Sequence, residues 1–214
     1  MKRTKINSLA KKRMEMVNLS KNFVKKYGWN DSLFKKISFH NRISFDELII
    51  LFPNGYKEML KLSLDCLNNE LENTCSQYDF IRLPVHKRIK KIILTKIKII
   101  NKHKDFYRRT FYFLLIPINY KLLTAYLYKS VDLMWYISGD NSTDFNFYTK
   151  RIILSIVYSS VVLHFINNES MFETEKKLDN NLLKVSKIPL IKNNIRLFQK
   201  NLPSFFRLFK SFSF

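Results

Sequence analysis

Asp140 and Asp144 stand four residues apart in the run Gly139–Arg151, GDNSTDFNFYTKR. That spacing puts two carboxylates one helical turn from each other, an arrangement open to acid–base chemistry. Helix termini account for them equally well. Gly139 follows the apolar run Ala125–Ile137 and suits the left-handed position that closes a helix. Ser142 or Thr143 can cap the next helix, and Asp144 then lies in its first turn, where the macrodipole favours a negative charge. Other reactive side chains are scattered. His40, His86, His103 and His164 form no pair at metal-ligand spacing, and Cys66 and Cys75 are nine residues apart with no histidine pair nearby. There is no His-Glu-x-x-His, no glycine-rich phosphate loop and no nucleophile elbow. The expectation is a non-enzymatic protein with no cofactor and no metal, in which His164 is a hydrogen-bonded core histidine.

The elements that carry this run are helical. The chain has 214 residues, 46% hydrophobic and 15% aromatic, with 3 Gly and 5 Pro, which excludes disorder and argues against an all-β fold. The period predicts helices over residues 8–27, with Leu9, Met14, Val17, Leu19 and Phe23 on the apolar side, then over 30–37 and 45–52. These three resemble a helix-turn-helix unit. Beyond Pro53–Gly55, helices are expected over 56–72, 84–102, 105–115, 119–138, 143–166 and 171–185. The apolar run Ile152–Ile166 is shorter than the roughly 20 residues a spanning helix needs, so a core helix is expected.

Two features point outward. The net charge of +21 favours polyanions, nucleic acid or an anionic membrane, although an AT-rich coding sequence produces the same lysine excess. After Asp179 there is no acidic residue, while Ile191, Ile195, Phe198, Leu202, Phe205 and Phe209 recur at spacings of three and four. An aromatic stripe beside a cationic face is the pattern of a helix in a membrane interface, with Arg196, Phe198, Leu202, Phe205, Arg207, Phe209 and Lys210 as its contacts. A docked C-terminal helix is the competing reading. DNA is disfavoured, because the third helix, SFDELIILF, holds two acids and no base. The basic start MKRTKINSLAKKRM has no apolar run behind it and is not expected to be a secretory signal.

Helix 143–166 is apolar nearly all round, so it is covered on both sides. Two layers of helices satisfy that requirement, and so does a cavity for a long apolar ligand along the face of Phe147, Leu154, Tyr158 and Phe165.

The run Met134–Arg151, MWYISGDNSTDFNFYTKR, resembles the hallmark segment of the ubiquinone-biosynthesis accessory lipid-binding proteins of mitochondria and their bacterial relatives. Leu51–Gly55 (LFPNG), the basic helix around Val85–Arg88 and Leu115–Asn119 (LIPIN) resemble that family more weakly. The resemblance runs from about residue 8 to about residue 185. It implies an all-α, tetracycline-repressor-like fold of nine or ten helices, with a vestigial N-terminal helix-turn-helix and a C-terminal amphipathic helix. It also implies a polyprenyl quinone or other isoprenoid ligand, a di-iron quinone hydroxylase as partner, a membrane surface, and no nucleic acid. A homodimer is expected by analogy with that fold. The partner-binding positions implied are Asp144, Phe147, Tyr148 and Arg151; those for lipid are Met134, Leu154, Tyr158 and Phe165. Phe147 stands where the family usually has Trp, which removes an indole N–H. The expected organisation is a helix-turn-helix-like unit over 1–53, a lipid-binding domain over 54–188 and a membrane-associating helix over 189–214. The expected location is the cytoplasmic face of the inner membrane, or the matrix face in a mitochondrion. The alternative is a transcriptional regulator with a lipid effector.

Overall fold

The computed structural model describes residues 2–140, 145–168 and 170–186, with side chains from Ser8 onward except those of 145 and 146. The described residues hold nine α-helices and no strand. They are α1 (Lys2–Tyr27), α2 (Leu33–Asn41), α3 (Phe45–Leu51), α4 (Tyr56–Cys75), α5 (Val85–Asn101), α6 (Lys104–Leu115), α7 (Tyr120–Ile137), α8 (Phe145–Asn167) and α9 (Met171–Ser186), with a 3₁₀ turn at Pro117–Asn119. The all-α expectation holds. The expected C-terminal helix, with Arg196, Phe198, Leu202, Phe205, Arg207, Phe209 and Lys210, lies outside the described residues, as does Asp144.

The chain forms two compact units. The first comprises residues up to Tyr78 and Thr95–Tyr126. Its core contains Leu33, Ile37, Leu48, Phe52, Met59 and Leu67. Gly28, at φ 75°, closes α1 by donating its N–H to the Val24 carbonyl at 2.8 Å, as its position predicts. The buried side of α1 is Met16, Val17, Ser20 and Val24. Leu9 and Met14 are exposed, so the expected stripe is rotated on the helix. The Trp29 indole donates to Thr110 Oγ1 at 3.0 Å, fastening the turn after α1 to α6. On α3 the exposed side carries Phe45, Asp46, Ile49 and Ile50, not the arginines, lysines or amides that read base edges.

One member of this core is cationic. Lys96 is 0% exposed and donates to Asn68 Oδ1 at 2.6 Å, with Nζ 5.3 Å from the centre of the Tyr126 ring. Burial pushes its amine well below the ordinary lysine value.

The second unit comprises Asp79–Leu94 and the chain from Leu127 onward. Within it α8 packs on α9, and Lys90 of α5 pairs with Asp179 and Glu175 of α9 at 2.7 and 2.9 Å. Phe147–Asn167 is long and apolar enough to cross a membrane. It nonetheless buries Leu154, Val157, Tyr158, Val161, Phe165 and Ile166, as a core helix does. His164 departs from expectation: it is half-exposed, and its buried Nδ1 has no hydrogen-bond partner among the described residues.

Candidate functional site

The end of α7 is shaped by one left-handed residue. Gly139 has φ 82° and donates to the Tyr136 carbonyl at 2.9 Å, while Asp140 donates to the Trp135 carbonyl at 3.1 Å. These paired bonds form a Schellman turn, which satisfies carbonyls the helix leaves open. Arg88 of α5 then pins the turn. It donates to the Ser138 carbonyl from Nη1 at 2.9 Å and to the Leu83 carbonyl from Nε at 2.6 Å. A Cβ on Gly139 would sit 3.1 Å from Arg88 Nη1. Gly139→Ala is therefore expected to lower stability by about 1–2 kcal/mol through the left-handed backbone alone, checked by urea unfolding. Any displacement of Arg88 adds to that.

Beyond the turn, charges converge on Asp140. Its carboxylate meets Lys150 Nζ at 2.6 Å and Arg151 Nη1 at 3.6 Å. Arg151 also donates from Nε to Asp132 Oδ1 at 2.6 Å and from Nη1 to the Phe147 carbonyl at 3.1 Å. Its guanidinium lies 3.2 Å from the centre of the Phe147 ring, which meets Tyr148 edge-on at 5.1 Å. Arg151 is only 6% exposed. The four expected partner-binding positions thus fall into three situations. Asp144 lies outside the described residues, Phe147 and Tyr148 are half-exposed and paired, and Arg151 is buried as the hub that ties α8 to α7. Burial pushes the nearby Tyr128 phenol up, and the Asp132 charge adds to the effect.

Behind this corner runs an apolar groove of about 370 Å³. Its walls include Val85 and Ile89 of α5, Trp135 of α7, Leu154 and Val157 of α8 and Leu182 of α9. It reaches Val185 and Ser186, where the described part of α9 stops. Of the expected lipid-lining residues, Leu154 is on this wall, while Met134, Tyr158 and Phe165 are buried and not part of it. The groove side of α8, at Ile153, Leu154 and Val157, is rotated about one-fifth of a turn from the expected face. Trp135 went unanticipated. It serves both features, since its side chain lines the groove and its carbonyl accepts the Asp140 N–H. Among the described residues no cluster of three or more His, Cys, Asp or Glu could hold a metal ion.

Residues 121–189 match the COQ9 family. The rat mitochondrial ubiquinone biosynthesis protein COQ9 is 30% identical over 96 residues, 44% of this chain and 31% of the rat protein. The human protein of the same name is 29% identical over 82 residues, 38% of this chain and 26% of its own length. COQ9-B of Xenopus laevis is 39% identical over 69 residues, 31% of this chain and 22% of its own length. The aligned part of the chain thus spans less than a third of each of these relatives. Among solved structures, the TetR transcriptional regulator from Nitrosomonas europaea superposes with a TM-score of 0.66 at 15% identity, covering 81% of this chain and 97% of the regulator. That likeness shows the fold. On a TetR-like helical fold, the chain is related through residues 121–189 to the COQ9 family of ubiquinone biosynthesis proteins.

Proposed function

We propose that this protein is a non-enzymatic accessory factor of ubiquinone biosynthesis. It holds a polyprenyl quinone intermediate in the groove of α5, α7, α8 and α9 and presents it to the late-stage di-iron hydroxylase. The observation that carries this reading is the groove itself, apolar on four helices and adjoining the Gly139–Arg151 corner at Trp135. Its volume lies near the low end for small-molecule sites, which run from about 300 to 1,000 Å³. That suits a ring and the first prenyl units better than a long tail. Burial of each CH₂ contributes about 0.8 kcal/mol, so a prenyl segment exchanges between a bilayer and such a groove without a large penalty.

In this reading Phe147 and Tyr148, with Asp144, meet the hydroxylase, and Arg151 holds them in place. The segment with Arg196, Phe198, Leu202, Phe205, Arg207, Phe209 and Lys210 brings the groove to the membrane surface. The relatives are named as mitochondrial proteins, which supports the matrix face as the location in a eukaryote. A homodimer through the ligand-domain helices accords with the fold. The transcription-factor alternative is weakened by the apolar and acidic exposed side of α3.

Mass spectrometry of organic extracts from the purified protein tests the proposal. The expected result is a co-purifying isoprenoid quinone or precursor, reduced by Val157→Trp, which fills the groove. Extracts free of isoprenoid lipid overturn it.

A further inference from the structure

The α6–α7 corner presents an uninterrupted apolar tip to solvent. Leu115, Ile116, Ile118 and Tyr120 are all exposed, Ile118 at 83%, with Pro117 between them. The tip has a fixed shape. Asn119, 4% exposed, donates from Nδ2 to the Phe113 carbonyl at 2.7 Å, and its backbone N–H donates to the Ile116 carbonyl at 2.8 Å. Both bonds hold Pro117–Asn119 as a single 3₁₀ turn. A rigid protrusion of isoleucines is a costly thing to leave in water unless it meets another surface.

The exposed side of α6 shows which surface. At 100° per residue, Asp105, Arg108, Arg109, Tyr112, Leu115 and Ile116 fall within one third of the helix circumference. Phe106, Tyr107, Thr110, Phe111 and Leu114 occupy the buried side. Read along the helix axis, the exposed side passes from charge through an aromatic hydroxyl to aliphatic carbon. Arg109 and Ile116 are about 10 Å apart along that axis, comparable to the 5–10 Å depth that interfacial helices reach. This ordering matches a lipid surface, with cations at the phosphates, tyrosine at the glycerol level and aliphatic groups at the acyl boundary.

Charge complementarity agrees. No Asp or Glu occurs between Asp105 and Asp132, while Arg108, Arg109, Lys121 and Lys129 do. Asp105 itself is held by Lys25 at 2.7 Å and Arg108 at 3.8 Å. Beside the tip opens a recess of about 380 Å³ lined by Lys25, Asp105, Arg108, Arg109 and Tyr112, three cations against one carboxylate. It is of a size and charge to receive a phosphate headgroup.

We propose that the corner Leu115–Tyr120, with the cationic recess behind it, is a membrane anchor that inserts into an anionic bilayer surface. The site shares no residue with the cationic segment expected over 189–214 and does not depend on what the groove of the second unit binds. Every residue of the anchor belongs to the first unit. A partner protein on the same surface would favour a flat apolar patch, whereas a narrow tip rimmed by cations fits phospholipid.

The test uses the full chain and phosphatidylcholine vesicles carrying about one-third phosphatidylglycerol. The double variant Ile116→Ser with Ile118→Ser changes only exposed side chains, and its circular dichroism and Tm are expected to match the parent. Its vesicle partition is expected to fall about tenfold. Arg108→Gln with Arg109→Gln is expected to lower partition by a similar factor and to flatten its dependence on anionic lipid. As a direct probe, Ile118→Trp is expected to gain emission that brominated lipids quench. Unchanged partition in both double variants, or an indole at 118 that brominated lipids leave unquenched on vesicle-bound protein, overturns the proposal. So does parent-like vesicle binding combined with loss of a protein partner, which would assign the tip to that partner.

Discussion

Arg151→Ala is expected to lower unfolding free energy by about 3 kcal/mol, the scale of breaking a buried ion pair from one side. The geometry supports that size. One guanidinium serves Asp132, Asp140 and the Phe147 carbonyl while covering the Phe147 ring, and its removal deprives all four at once. Lys150→Ala is the matched control. Lys150 shares Asp140, but its side chain is 37% exposed, so about 1 kcal/mol is expected. Urea unfolding of both variants checks the ordering, and equal losses would refute the role of Arg151 as hub. The result bears on function too. Loss of hydroxylase association in Arg151→Ala would report a displaced corner. Phe147→Ala or Tyr148→Ala are the cleaner probes of contact, because both residues are half-exposed.

The second large effect concerns Lys96. In the unfolded chain its amine has the ordinary lysine value of 10.5, and in the folded chain burial depresses it well below that. Between those two values the unfolded state binds the extra proton, so stability rises with pH, by up to about 1.4 kcal/mol per pH unit. Below the depressed value both states are protonated, and the full cost of burying an ammonium remains. Lys96→Met is therefore expected to remove this slope. The stability difference between parent and variant should narrow as pH rises through the window between the depressed value and 10.5, and be flat below it. Taking the difference cancels groups common to both chains, such as Cys66 and Lys21, whose own values are shifted by burial. A difference that does not vary with pH would mean that Lys96 is hydrated in the native state.

Helix content and the closing of α7 were legible because they depend on local rules. Gly139 takes the left-handed geometry its place after an apolar run demanded. Arg88 was not legible, because the carbonyl it serves belongs to Ser138, fifty residues further on. Lys96 left a signal that went unread. Ile89, Ile92, Ile93, Lys96 and Ile100 follow the three-and-four spacing of one helix side, so the period itself placed a lysine among buried positions. The exposure of Leu115–Tyr120 was not legible, because apolar residues at a helix junction carry no pattern that tells core from surface. On α8, apolar nearly all round, no pattern could choose which side met the groove. Of the expected residues Leu154 lies on the groove wall, and Trp135 was not singled out because α7 gave no reason to prefer it.

The two tryptophans fall one to each unit. Trp29 is buried and hydrogen-bonded to Thr110 in the first, and Trp135 lines the groove in the second. The protein thus comes with a built-in pair of spectroscopic gauges. With either indole replaced by phenylalanine, the remaining one follows the melting of its own unit. Superimposed transitions would mark a single cooperative block, and staggered ones would identify the half that loosens first.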